Sequence, residues 1–135
     1  MIVGYACAEP SGLAAIVGGL IEQNLARDPT RIRLLRPALA AISAPDADVS
    51  ITIEIIPGAV LIAEGSDPRA QVGITADSTR LLALTAAPLR FGLPDVFDRR
   101  GRAVLRDVLM RRVRIRGLIA HPRRLARLSS LLSVA

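Results

Sequence analysis

The clearest pattern along the chain is a strict alternation of apolar and polar residues between Ala47 and Ile56. The apolar positions are Val49, Ile51, Ile53 and Ile55, and the polar positions are Asp48, Ser50, Thr52 and Glu54. Because successive side chains of a β-strand point to opposite faces, this pattern predicts a strand with one buried face. Pro57-Gly58 then predicts a turn, and residues 59–64 predict the return strand of a hairpin.

Weaker patterns of the same kind predict three further strands, at residues 38–43, 71–75 and 112–116, which gives about five in total. The last of these is Arg112-Val113-Arg114-Ile115-Arg116. Its alternation places Val113 and Ile115 on one face of the sheet and the three arginines on the other.

Helical periodicity dominates both ends of the chain. Ser11 suits the N-cap of a first helix, whose apolar stripe is Leu13, Ile16, Val17, Leu20, Ile21 and Leu25. Gly18-Gly19 destabilises the middle of this helix by about 1 kcal/mol per glycine relative to alanine, so we expect a close packing partner there. Residues 1–10 are expected to be a loose lead-in.

Three more helices are predicted after the hairpin. The first is capped by Asp77 or Ser78 and the last begins at Pro122, which suits the first turn of a helix. Their apolar positions are Leu81, Leu82 and Leu84; then Val104, Leu105, Val108 and Leu109; then Leu125, Leu128, Leu131 and Leu132. Both phenylalanines, Phe91 and Phe97, lie in the loop at residues 89–100, where they either pin the loop to the core or form a lid.

These elements predict an α+β fold. A mostly antiparallel, five-stranded sheet is covered on one face by helices from both ends of the chain. The chain has 135 residues and shows no internal repeat or linker, so we expect one domain over residues 1–135. Apolar residues make up 51% of the sequence and aromatic residues only 2%, so the core is aliphatic and could also line a cavity.

Every basic residue is an arginine: 18 oppose 12 acidic residues, for a net charge of +6. Eleven of them lie between Arg99 and Arg127. Genomic bias explains the lack of lysine, and anion recognition by guanidinium groups is the functional alternative. The basic surface has three interpretations: it is simply solvated, it contacts anionic lipid headgroups, or it binds nucleic acid. Nucleic acid is least favoured, because the aromatic residues that stack on bases are almost missing.

Residues that carry catalysis are scarce. His121 is the only histidine and Cys7 the only cysteine, and no nucleophile elbow, phosphate loop or metal-ligand cluster occurs. We therefore expect no enzymatic activity, no metal and no cofactor. A single cysteine excludes an internal disulfide and suits the cytoplasm. The first basic residue is Arg27, so no signal peptide is expected, and no apolar run is long enough to span a membrane.

The order of helix, "VRIRG" strand and helix ending in "LLSV" resembles the C-terminal half of the sterol carrier protein family of lipid-transfer domains. Residues 74–84 also resemble the strand of that family that leads into a "D-x-x-x-L-L" helix, here Asp77 to Leu82. The similarity runs from about Val49 to Leu132.

The resemblance implies an apolar cavity between the sheet and the helices, with reversible, non-catalytic binding of a sterol, fatty acid or acyl-CoA. Candidate lipid-binding residues are Leu82, Leu105, Leu109, Leu125, Leu128 and Leu132, with Phe91 and Phe97 as a gate. Candidate contacts for anionic headgroups or membranes are Arg112, Arg114, Arg116, Arg123, Arg124 and Arg127. The alternative is a protein-interaction or homodimerisation module of the same fold, in which these leucines only fill the core.

Overall fold

The computed structural model describes residues 3–6, 12–81, 89–90, 93–94, 98–110, 113–117 and 120–133. The strands are β1 (Val3–Tyr5), β2 (Ala38–Ala44), β3 (Val49–Ile56), β4 (Ala59–Glu64), β5 (Val72–Thr75), β6 (Leu89–Arg90), β7 (Leu93–Pro94) and β8 (Arg114–Arg116). The helices are α1 (Gly12–Arg27), α2 (described over residues 78–81), α3 (Arg99–Leu109) and α4 (Pro122–Leu132). Short 3-10 helices span Pro29–Leu34 and Pro45–Ala47.

The main sheet is mixed and six-stranded, in the order β1-β4-β3-β2-β5-β8. β1 pairs with β4 and β2 with β5 in parallel, whereas the other three neighbouring pairs are antiparallel. The α+β class and the five predicted strands, β2 to β5 and β8, are confirmed. β6 and β7 form a separate two-stranded sheet.

The strand count of five was wrong because the N-terminal residues predicted to be a loose lead-in contain β1. Val3 to Tyr5 pair with Val60 to Ile62 of β4, and Val3 is buried. Tyr5 also explains how α1 tolerates a central glycine. A Cβ placed on Gly18 would lie 2.8 Å from Cζ of Tyr5, so only glycine lets the ring lie against the helix. The predicted close packing partner is therefore confirmed.

The core lies between one face of the sheet and helices α1 and α4. Its largest fully buried side chains include Ile51, Ile53 and Ile62 of the sheet and Leu128 and Leu131 of α4, while α1 contributes Ile21. The opposite face of β3 carries Thr52 and Glu54, as the alternation predicts. Thr52 is nevertheless buried, because its hydroxyl donates to Gly65 O (2.7 Å) and accepts from Asp67 N (2.9 Å) in the loop after β4.

The C-terminal end of α4 is bound by side chains from early in the chain. Buried Asn24 of α1 donates to Leu131 O at 2.7 Å. Arg31 donates to Ser130 O at 3.0 Å and to Ser133 O at 2.8 Å. The last carbonyls of a helix have no hydrogen-bond donor within the helix. The side chains of Asn24 and Arg31 supply those donors and fix α4 against α1.

Candidate functional site

An apolar pocket of about 310 Å³ lies between α1, the sheet, the start of α2 and the end of α4. None of the described residues that line it is charged, and its only polar side chains are two serines. The lining residues are Gly12, Leu13, Ile16, Val17, Leu20, Ile42, Ala44, Ala47, Val49, Ile74, Ser78, Leu81, Ile115, Ser129 and Leu132. Such a surface can remove the apolar groups of a ligand from water, but it offers a charged ligand no ion pair.

The floor of the pocket follows from the register of three neighbouring strands. Ile42 of β2 pairs with Ile74 of β5, and Ile74 pairs with Ile115 of β8. Because paired residues share a face, the three isoleucines form one row across the sheet. Ala44 lies two residues further along β2 on the same face, where its small side chain leaves room that a larger residue would occupy.

One wall of the pocket is the N-terminal half of α1. Leu13, Ile16, Val17 and Leu20 recur at i, i+3, i+4 and i+7, the spacing of one helix face. The core instead takes a neighbouring face, with Ala14, Val17, Gly18 and Ile21 among its buried residues. The apolar face of α1 is thus wider than the core requires, and the part of that face that does not pack in the core borders the pocket.

The pocket opens beside the exposed members of its lining. The side chain of Ile16 is 52% exposed, and Gly12 and Ala47 are also exposed. Ala44 and Ile42 are, in contrast, buried members of the lining. Within the described part of the chain, the entrance therefore lies between the start of α1 and the short 3-10 helix before β3.

The polar groups at the rim bind one another. The backbone N–H of Ser78 donates to Asp46 at 3.1 Å and its hydroxyl donates to the same carboxylate at 3.2 Å. The backbone N–H of Arg80 donates to Asp77 and, together with the charge of Arg80, holds the pKa of that carboxyl below its ordinary value. Arg80 also bridges to Asp107 of α3 at 3.7 Å. These contacts fix the first turn of α2, which carries Ser78 and Leu81, at the pocket.

The structure brings few of the predicted lipid-binding leucines to the pocket. Leu132 lines it. Leu125 and Leu128 are fully packed in the core and are not part of the lining, and Leu105 is 40% exposed on α3. Helical spacing marks an apolar face without showing what that face meets, so these three leucines lie apart from the described pocket lining, and their contact with a lipid stays a prediction. The side chain of Leu109 and all of Leu82, Phe91 and Phe97 lie outside the described residues.

The predicted anion-contacting arginines lie on two elements in the described part of the chain. Arg114 and Arg116 are exposed on β8, where Arg116 donates to Ala70 O at 3.2 Å. Arg123, Arg124 and Arg127 lie instead on the first turns of α4. Arg112 lies outside the described residues. The arginines thus divide between the edge of the sheet and a helix.

Sequence reasoning missed the lining residues of α1 and the isoleucine row of the floor. The signal for α1 was present, since its six apolar positions cover more of the helix than one core-facing stripe needs. The signal for the floor is the register between β2, β5 and β8, which the sequence of a single strand does not contain.

Comparison with solved structures shows that the chain has the fold of an SCP-like domain. The structure of "UbiJ-SCP2 Ubiquinone synthesis protein" matches with a TM-score of 0.59 and 15% sequence identity, over 90% of this chain and 96% of that one. A Thermus thermophilus protein described as a possible sterol carrier protein matches with a TM-score of 0.42 and 16% identity, over 93% of this chain and 90% of that one. No protein-family model and no curated protein matches the chain. The first similarity establishes the fold, and the resemblance to sterol carrier domains is confirmed at that level.

The described ranges lack two features. They contain no cluster of three or more histidine, cysteine or acidic side chains arranged to hold a metal ion. None of the helices seen there has both the length and the hydropathy needed to cross a membrane.

Proposed function

We propose that the chain is a non-catalytic lipid-binding domain of the sterol carrier type. Its apolar pocket would hold the hydrocarbon part of a sterol, fatty acid or acyl-CoA. The observation that carries this proposal is the lining, in which fifteen described residues include no charged side chain. A volume of about 310 Å³ lies at the lower end of the roughly 300–1,000 Å³ typical of ligand pockets.

The orientation of the ligand follows from the same lining. A carboxylate or phosphate inside the pocket would lose its water without gaining a charged partner, which is costly. The polar end of the ligand therefore stays at the entrance beside Ile16 and Ala47, and the apolar part lies over the isoleucine row. Burying about ten methylene groups supplies roughly 8 kcal/mol before ordering costs.

The proposal assigns the protein a carrier role without chemistry. The two hydroxyls of the lining, those of Ser78 and Ser129, form no hydrogen bond with a histidine as far as the described residues extend, so neither has the serine–histidine pairing that activates a nucleophile. The Ser78 hydroxyl instead donates to Asp46. This carboxylate also accepts the backbone N–H of Ser78 and caps the start of α2. The cytoplasm is the compartment that we propose, since a chain with one cysteine has no disulfide to form.

The experiment is native mass spectrometry of protein purified from its host, followed by titration with a fluorescent fatty acid. A co-purified lipid, or saturable micromolar uptake of the fatty acid, supports the carrier. A bare protein that takes up no fatty acid rejects it.

A pair of alanines tests whether that uptake occurs in the pocket. Ala44 and Ala40 lie on the same face of β2 and are equally buried, but only Ala44 lines the pocket. Ala44→Leu should fill part of the space, keep the stability and weaken fatty acid binding. Ala40→Leu should overpack the core and cost about 1–3 kcal/mol of unfolding free energy. Equal destabilisation by the two substitutions, with binding unchanged by Ala44→Leu, would contradict the proposal.

The alternative is a protein-interaction or dimerisation module, and one surface favours it. Ile56 and Leu61 are 46% and 41% exposed, and they are diagonal neighbours on β3 and β4. If this pair mediates self-association, light scattering should show a dimer that Leu61→Glu separates into monomers without changing fatty acid uptake.

A further inference from the structure

Four arginines gather where the start of α4 meets the segment before β2. Arg36 directly precedes Pro37 and β2, and Arg123, Arg124 and Arg127 lie on the first two turns of α4. Arg36 and Arg123 are exposed, whereas Arg124 and Arg127 are half-buried. We call this group the α4 arginine cluster.

No carboxylate forms an ion pair with the α4 arginine cluster among the described residues. The ion pairs found there join Asp28, Asp67, Asp77, Asp98 and Asp107 to other arginines. Burial lowers the pKa of Arg127, and the charges of Arg36, Arg124 and Arg123 lower it further. The positive end of the α4 dipole adds to this repulsion. Glu54, Glu64 and Asp67 line the groove that Arg124 borders, but none of the ion pairs among the described residues joins them to the cluster. The cluster is therefore a concentration of positive charge without a directly paired carboxylate in that part of the chain.

The half-buried members of the cluster also carry unused donors. The Nε atoms of Arg124 and Arg127 are buried and have no hydrogen-bond partner among the residues that the structure describes. Nη1 of Arg124 lies 2.8 Å from Nδ1 of His121, and because a guanidinium only donates, the ring nitrogen accepts. This contact holds Arg124 in place but brings it no negative charge.

A solvated basic surface does not account for this arrangement. Solvated arginines extend their guanidinium groups into water, whereas these two bury an N–H without a partner. A codon bias explains why the residues are arginine and not lysine, but not why four of them converge. An anion bound among them would satisfy both the charge and the donors.

We propose that Arg36, Arg123, Arg124 and Arg127 form a binding site for a phosphate group. Planar guanidinium groups bind phosphate oxygens in pairs, and the free N–H groups at the start of a helix favour the same anion. The phosphate is either inorganic or part of a lipid headgroup at a membrane surface. The site goes beyond the proposed lipid carrier and does not depend on it, because the pocket contacts α4 only at Ser129 and Leu132.

The first test is the melting temperature of the full chain in chloride and in inorganic phosphate at constant ionic strength. We expect phosphate to raise it. Arg127→Gln and Arg36→Gln should each weaken phosphate binding by at least about tenfold, the effect of losing one hydrogen bond to a charged group. Each should also raise the melting temperature in chloride, because the variant removes one repelling charge from the cluster.

Arg99→Gln is the matched control. Arg99 is exposed at the start of α3 and is not part of the cluster, and its replacement changes the net charge by the same amount. This variant should keep the phosphate response of the unmodified chain. If Arg99→Gln weakens binding as much as Arg127→Gln does, only the net charge matters and the proposed site is wrong.

Vesicles distinguish the two sources of phosphate. The chain and its variants are sedimented with vesicles of phosphatidylcholine alone or mixed with phosphatidylglycerol. Cluster-dependent binding to the mixed vesicles identifies a headgroup site, and a response to inorganic phosphate alone identifies a site for a soluble anion. If neither phosphate nor mixed vesicles bind in a way that Arg127→Gln reduces, the inference is overturned.

Discussion

Replacing Ile16 with serine tests the ligand pocket at its entrance. The side chain of Ile16 is 52% exposed, so about half of its apolar surface is free to be covered by a ligand. Full burial of an isoleucine side chain contributes about 1.5–3 kcal/mol, so half of it contributes about 0.8–1.5 kcal/mol. Its loss should therefore raise the dissociation constant about 4- to 13-fold. The expected change is therefore moderate, and binding should weaken without being abolished.

Ile32→Ser is the control, because Ile32 is 51% exposed and lies outside the pocket. Both substitutions remove the same group from equally exposed positions, so their effects on the free energy of unfolding should be similar. Titration of a fluorescent fatty acid measures the dissociation constants, and chemical denaturation measures stability. Equal fatty acid affinity in the two variants, or an unchanged affinity in Ile16→Ser, would refute the assignment of the pocket.

Two further pairs of variants test the packing that positions α1 and α4. Gly18→Ala should lower the free energy of unfolding by up to about 2 kcal/mol, because overpacking against Tyr5 outweighs the gain in helix propensity. Gly19→Ala has free space around the new methyl group, so it should raise the free energy of unfolding by up to about 1 kcal/mol. Thermal denaturation measures both changes. Asn24→Ala should cost about 1–3 kcal/mol and speed amide exchange in the last turn of α4, because a buried carbonyl there loses its donor. Exposed Gln23→Ala should change neither quantity, and equal effects within either pair would contradict this description.

The strands were predictable wherever alternation or a turn marked them. β3 alternates from Val49 to Ile55 and β4 follows a Pro-Gly turn, so both had clear signals. β1 had neither signal. It contains three residues and pairs in parallel with β4, a strand more than fifty residues away in the sequence. Parallel partners are not joined by a tight turn, so nothing close to Val3 in the sequence indicates its neighbour.

The pocket was less predictable than the sheet for a related reason. Leu128 and Leu132 lie one turn apart on the same apolar stripe of α4, yet Leu128 is packed in the core and Leu132 lines the pocket. Periodicity shows which side of a helix avoids water, but the side chains of other elements decide whether that side meets solid packing or a gap. Ala44 is informative only after its strand has been placed opposite α1.

The attachment of α4 has a consequence for protein synthesis. This helix gives Leu128 and Leu131 to the core, and its end is held by Asn24 and Arg31, which the ribosome makes about a hundred residues earlier. A nascent chain that has reached β8 has therefore already produced α1 and all six strands of the sheet. It still lacks α4, the second of the two helices that cover the sheet. Until residue 132 has been made and has left the ribosome, apolar surface stays open to water and to other chains, so we expect stable folding to wait for α4 and to benefit from chaperones.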